Sequence, residues 1–279
     1  MGLRVSTNIA SLSAQRSIRQ NNEELTRSLR ALSSGKRVNR AGDDAAGFSI
    51  GESFRGQIRS SRQARFNADS AISLVQTAEG GLNEQNNILI RLRELATQAA
   101  SDTVSDTERE FLDDEFQVLI EEFDRISKTT LYGSKSLLSG SDEQLEFHVG
   151  INDDDSSRIA VTLDSNTSAD NVGIAGNDVL DKGDARDSLE SIDDALVDLT
   201  RARAKFGALQ SRLQFTSDHL GAQIENITAA RSQIVDADIA EEVTNLVSAQ
   251  IQEEAGISVL AQATQSPKSA LQLLHSINR

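Results

Sequence analysis

Residues 189–234 read LESIDDALVDLTRARAKFGALQSRLQFTSDHLGAQIENITAARSQI, and their spacing decides the fold class. Ile192, Leu199, Phe206, Leu213, Leu220, Ile227 and Ile234 recur at every seventh place. A second stripe runs Leu189, Leu196, Arg203, Gln210, Ser217, Ile224 and Arg231, apolar only at its start and at Ile224. No proline interrupts the run. Sustained 3-4 spacing over this length predicts one long helix packed in a coiled-coil-like bundle. At 1.5 Å per residue the helix would span roughly 70 Å, so the spacing predicts a rod. One greasy stripe beside a partly polar one predicts several neighbouring helices of the same chain rather than one symmetric partner.

Composition narrows the choice further. The 279 residues hold 4% aromatics, no tryptophan, one tyrosine and one proline, Pro267. Aliphatic side chains must therefore build the core, and long helices are permitted nearly everywhere. The absence of cysteine excludes a disulfide framework, thiol catalysis and cysteine-ligated metal. A net charge of −15 argues against nucleic acid, because a phosphate binder needs a clustered basic surface. No apolar run approaches a membrane span. The first residues lack the apolar segment of a cleavable signal, which predicts a cytosolic protein or one exported without removal of a leader.

The two ends are amphipathic and opposite in charge. Residues 1–40 hold eight basic and two acidic side chains; residues 236–279 hold two basic and six acidic ones. They are expected to pair as helices, the alternative being two solvated tails. Their apolar stripes are Val5, Ile9, Leu12, Leu25, Leu29 and Leu32 at one end. At the other they are Ile239, Val243, Leu246, Ile251, Val259, Leu260, Leu271 and Leu274. Too little chain remains to cover them, which predicts burial against other copies. Pro267 is expected to kink the last helix or mark a fresh start.

The expected organisation is mainly α. Residues 1–43 and 236–279 form paired terminal helices, and 44–235 form a helical rod. Glycines at 35, 42 and 47 mark a joint, with Asp43 and Asp44 suited to the first turn of a new helix rather than to a metal. Gly80-Gly81 is expected to loosen the helix that follows. Ser105 to Glu108 has capping-box spacing, and the short turn before it predicts an antiparallel pair of helices. Between about 140 and 176 the pattern switches. Leu145, Phe147, Val149 and Ile151 alternate with polar residues, as do Ile159, Val161 and Leu163, which predicts a small β-hairpin. Asp153, Asp154 and Asp155 sit at its turn. A calcium loop is the alternative reading, but the glycine and distal glutamate of an EF-hand are missing.

No constellation for catalysis is present. His148, His219 and His275 lie far apart, there is no H-E-x-x-H, and no phosphate loop follows Gly80-Gly81. No cofactor is indicated.

Several motifs carry a resemblance. They are Leu32-Ser-Ser-Gly35, Arg37-Val-Asn39, Asp43-Asp-Ala-Ala-Gly47 and Gln76-Thr-Ala-Glu-Gly80. In the C-terminal part follow Ala229-Ala-Arg-Ser232, Asp236-Ala-Asp238 and Ala255-Gly-Ile-Ser-Val-Leu-Ala-Gln-Ala263. In this order they resemble bacterial flagellin over about residues 1–135 and 185–279. The resemblance implies a minimal form with no sizeable outer domain, self-assembling into the helical flagellar filament of swimming bacteria. It implies an extracellular location on the flagellum, unfolded export by a type III route, an export chaperone at the C-terminal helix, and hook-associated and cap proteins as partners. It also implies contact of Arg91, Leu95 and Glu115 with a vertebrate Toll-like receptor, although Ile90 stands where recognised members carry glutamine; the residues themselves read as a solvated rod face with Leu92 and Leu95 buried. A hook–filament junction protein and a cytosolic coiled-coil interaction protein are the alternatives.

Overall fold

The computed structural model describes residues 8–140, 144–162 and 166–277, with side chains described to residue 265. Helices dominate, as the periodicity predicts: α1 (Ile9–Ser34), α2 (Ala45–Ala99), α3 (Asp106–Thr129), α4 (Lys182–Val235) and α5 (Ile239–Ile277). α5 runs on through Pro267 without a break in its backbone. Short antiparallel strands lie between α3 and α4. β1 (Leu131–Tyr132) pairs with β2 (Lys135–Ser136), and β3 (Gln144–His148) with β4 (Arg158–Thr162). The chain forms two compact units, 1–56 with 226–279, and 57–225.

The larger unit is built on α2, α3 and α4. Phe116, Phe123, Leu82, Leu89, Leu92, Leu95, Ile192 and Leu199 are fully buried there. The seven-spaced stripe of α4 forms its seam: Ile192, Leu199, Phe206, Leu213 and Leu220 are all buried. The companion stripe differs from the expected one by a single residue. Ser188, Ala195 and Ala202 are buried, whereas Leu196, Arg203 and Gln210 are half-exposed. Small side chains at these places let the helix axes approach closely, and the longer ones are left along the edge. Ser217 is buried too, and its hydroxyl is satisfied there by donating to Asp69 Oδ1 at 2.9 Å.

Local chemistry sets the helix ends. The Glu108 carboxylate accepts from both the backbone N–H and the hydroxyl of Ser105, each at 2.8 Å, and so closes the first turn of α3. The buried Arg109 guanidinium donates to the carbonyls of Ala99 and Ser101 and pairs with Asp106. It thereby satisfies the open carbonyls at the end of α2 and folds α3 back antiparallel. The same geometry shows in Gln85, whose amide donates to the carbonyls of Phe123 and Thr167 at 3.2 and 3.1 Å.

Gly80-Gly81 does not loosen α2. The helix is continuous through both. A Cβ on Gly81 would lie 2.6 Å from Thr130 Oγ1 and 2.9 Å from Leu138 Cδ1. This glycine is therefore where another segment reaches the helix backbone. The hairpin is present, with Phe147 opposite Ile159 and Leu145 opposite Val161; Leu163 lies outside the described residues. In its turn Asp154 accepts from the Ser157 N–H and hydroxyl, and Asp153 pairs with Arg158. These bonds hold the Asp154 carboxyl below the usual range, the Ser157 hydroxyl bond foremost.

Candidate assembly surface

The smaller unit is organised by α1 and α5, which lie side by side and antiparallel. Asn8 caps α1 by accepting from the Ser11 N–H, and its amide donates to the Ala263 carbonyl at 2.8 Å. Asp238 caps α5 by accepting from the N–H groups of Ala240 and Glu241. Small residues make up the buried seam: Ala14, Ser28, Ala31 and Ala249. Gly256 belongs to it as well, since a Cβ there would sit 2.9 Å from Ile18 Cγ1.

The larger aliphatics consequently face outward. Ile9 and Leu12 on α1 are 66% and 54% exposed, and Ile251, Ile257 and Val259 on α5 are 62%, 54% and 58% exposed. Leu29, Ile239, Val243 and Val247 are exposed too. Leu25, Leu32, Leu246 and Leu260 are half-buried. Val5 lies outside the described residues, as do the side chains of Leu271 and Leu274.

The joints of this unit are clasped to each other, which the sequence does not announce. Lys36 forms an antiparallel bridge with Asp236. Arg37 N–H donates to the Val235 carbonyl at 2.8 Å, and Ala237 N–H donates to the Gly35 carbonyl at 3.0 Å. The Arg37 guanidinium adds a bond to the Ile234 carbonyl at 2.6 Å. Gly35 closes α1 with a φ of 68°, the left-handed region that glycine enters freely. Asp44 accepts from Gly47 N–H and caps α2, while Asp43 accepts from the N–H groups of Asn39 and Arg40. Desolvation pushes the Asp43 carboxyl up. Its bonds to Arg40 and Asn39 and the charges of Arg27 and Arg30 outweigh that and leave it lowered.

In the larger unit, Arg91 and Glu115 are exposed and joined by bonds of 2.9 and 2.7 Å, with Glu94 at 3.0 Å from the same guanidinium. Leu95 is different. It is 1% exposed and belongs to the core with Leu92, as the apolar spacing of the two leucines predicts. The position four residues on from Arg91 rotates far enough to face inward.

Charge is divided unevenly. The smaller unit holds twelve basic and eleven acidic residues; the larger holds sixteen and thirty-two. The net charge of −15 therefore comes entirely from 57–225, which carries −16 against +1 on the smaller unit. Among the described residues, no helix is long and apolar enough to cross a membrane, and no group of three or more His, Asp or Glu could hold a metal ion.

Residues 5–143 match the bacterial flagellin N-terminal helical region, and residues 189–274 match the bacterial flagellin C-terminal helical region. The chain belongs to the bacterial flagellins. It is 38% identical over 270 residues to a flagellin of Halalkalibacterium halodurans, covering 97% of this chain and 99% of that one. It is 35% identical over 286 residues to a flagellar filament core protein of Brachyspira hyodysenteriae, covering 97% and 99%. The crystal structure of Bacillus cereus flagellin superposes with a TM-score of 0.50 at 28% identity, over 60% of this chain and 94% of that one. Flagellins are structural proteins, and among the described residues both matched regions are mainly helical in this chain.

Proposed function

We infer that this flagellin is a structural subunit of the bacterial flagellar filament, serving motility, and that α1 and α5 are the surface through which its copies polymerise. The observation that carries the reading is the outward-facing aliphatic set on a two-helix pair. Among the described residues, nine large aliphatic side chains are exposed on α1 and α5. Withdrawing the exposed half of each from water is worth about 1 kcal/mol, so assembly gains on the order of 10 kcal/mol. Among the described residues nothing buries them, and the α1–α5 seam is already filled by Ala, Ser and Gly. Contacts between copies that are head-to-tail and non-closing generate a helix rather than a ring. The filament core protein of Brachyspira hyodysenteriae supports the same direction.

A two-helix pair with so small a seam is marginal alone, so its helicity rises on assembly. Termini of this kind suit export as an unfolded chain to the flagellum, with a chaperone masking the apolar face of α5 until then. Hook-associated and cap proteins meet the same helices at the two ends of the filament. The exposed Arg91–Glu115 pair is the part of the expected receptor contact that a vertebrate Toll-like receptor can reach. A receptor reporter assay on monomer, with Arg91→Ala beside it, tests that contact; absence of signal from the unaltered chain removes it.

Seeded polymerisation watched by electron microscopy tests the main reading. The full chain is compared with one lacking 1–40 and 236–279, and with Ile251→Ser. Filaments from the full chain, none from the truncated chain and fewer from Ile251→Ser are the expected results. Filaments from the truncated chain would overturn it.

A further inference from the structure

A second feature of the smaller unit is polar rather than apolar. A cleft of about 320 Å³ opens beside the clasped joints, lined by Lys36, Asn39, Phe48, Glu52, Arg55 and Arg231 among others. Three of these are cations. Glu52 is bonded to Arg55 at 2.9 Å, so one of the three is already balanced. Gly51 is buried in the wall, where a Cβ would lie 2.6 Å from Val235 Cγ2, so the wall admits no larger residue there. Arg231 is the informative residue. Its Nε is buried and has no hydrogen-bond partner among the described residues. A buried guanidinium N–H without an acceptor is costly, and among side chains a carboxylate is the strongest acceptor for a guanidinium.

We propose that this cleft receives a carboxylate side chain from residues 57–225 of a second copy of the chain. The proposal rests on the assembly reading, since it needs copies packed side by side. Two observations select the occupant. The cleft lies on the same unit as the outward-facing aliphatics of α1 and α5, so copies gathered by those helices bring other copies near it. The charge division supplies the complement: the cleft is basic, while thirty-two acidic residues against sixteen basic ones make 57–225 strongly anionic. An aspartate or glutamate entering the cleft meets the Arg231 guanidinium and the Lys36 ammonium, which both line it. Such a contact fixes the register between subunits, which a smooth aliphatic face cannot do.

Lys36 makes the test direct, because a carbodiimide joins an ammonium to a carboxylate only when the two touch. Filaments are seeded from an equal mixture of isotopically light and heavy full-length chains, treated with carbodiimide and digested. Light–heavy mixed peptides joining Lys36 to an Asp or Glu within 57–225 are the expected result, absent when Lys36→Arg filaments are treated. Arg231→Gln is expected to raise the critical concentration for assembly about tenfold, the loss of one charge-assisted hydrogen bond. Arg231→Lys, which keeps the charge, is expected to raise it about threefold or less. Circular dichroism on each variant checks that the helices remain. Filaments in which Lys36 couples only within its own copy, or to no residue of 57–225, overturn the carboxylate contact and leave the assembly reading standing. Failure of the unaltered chain to form filaments overturns the assembly reading, and the contact with it.

Discussion

Two neighbouring glycines should respond in opposite directions to the same substitution. Gly80 is exposed, and a Cβ there meets nothing within 4 Å. Replacing it by alanine adds helix propensity and should stabilise α2 by about 1 kcal/mol. Gly81→Ala gains the same propensity but drives its methyl into Thr130 Oγ1 at 2.6 Å and Leu138 Cδ1 at 2.9 Å. Neither neighbour yields cheaply. The Thr130 hydroxyl donates to the Ile126 carbonyl at 2.7 Å, and Leu138 is fully buried. Overpacking of this kind costs about 1–3 kcal/mol, so the net change at 81 runs from near zero to about 2 kcal/mol destabilising. For a unit of this size each kcal/mol moves the melting point by about 2–4 °C. Thermal unfolding followed by circular dichroism at 222 nm on the full chain and the two variants reads the difference (the wavelength is roughly that of the helical amide band). Gly80→Ala should melt higher than the parent, and Gly81→Ala lower or level with it. Equal gains from both would refute the close approach of residues 130 and 138 to this helix.

Further outcomes follow from particular contacts. Glu108 is held below its ordinary pKa by the backbone and then the hydroxyl bond from Ser105. Its contribution is therefore fully present above the unfolded value, about 4.3, and is lost as pH falls through the lower native value. Glu108→Gln should be less stable than the parent at neutral pH, and urea melts of the two should converge in acid. Gly256→Val pushes a side chain into Ile18 across the α1–α5 seam. It should raise the critical concentration for assembly severalfold while leaving the melt of the 57–225 unit unchanged. Chelation of divalent cations with EDTA should not shift the melting curve, because Asp153 and Asp154 are already engaged by Arg158 and Ser157. A drop in melting point on chelation would restore the calcium reading of that turn.

Much of this protein is written in short-range pattern. The seven-spaced stripe of α4, the Ser105–Glu108 cap, the Asp238 cap of α5 and the alternation of β3 and β4 each rest on residues a few places apart. Propensity, capping and amphipathic spacing act within one or two turns, so the sequence alone determined which segments are helix, where they begin, and that the termini carry uncovered apolar stripes. The family motifs sit in those same segments.

Tertiary structure decided what depends on partners far along the chain. Nothing near Gly81 in sequence foretells Thr130 and Leu138, nor does anything near Gln85 foretell the carbonyls of Phe123 and Thr167. The one-residue offset that puts Ala195 and Ala202 into the α4 seam and the bridge from Lys36 to Asp236 belong to the same class. A helix pattern leaves the exact rotation of each face free to within one residue. Close packing of the neighbouring elements then fixes it, because only small side chains fit where backbones meet.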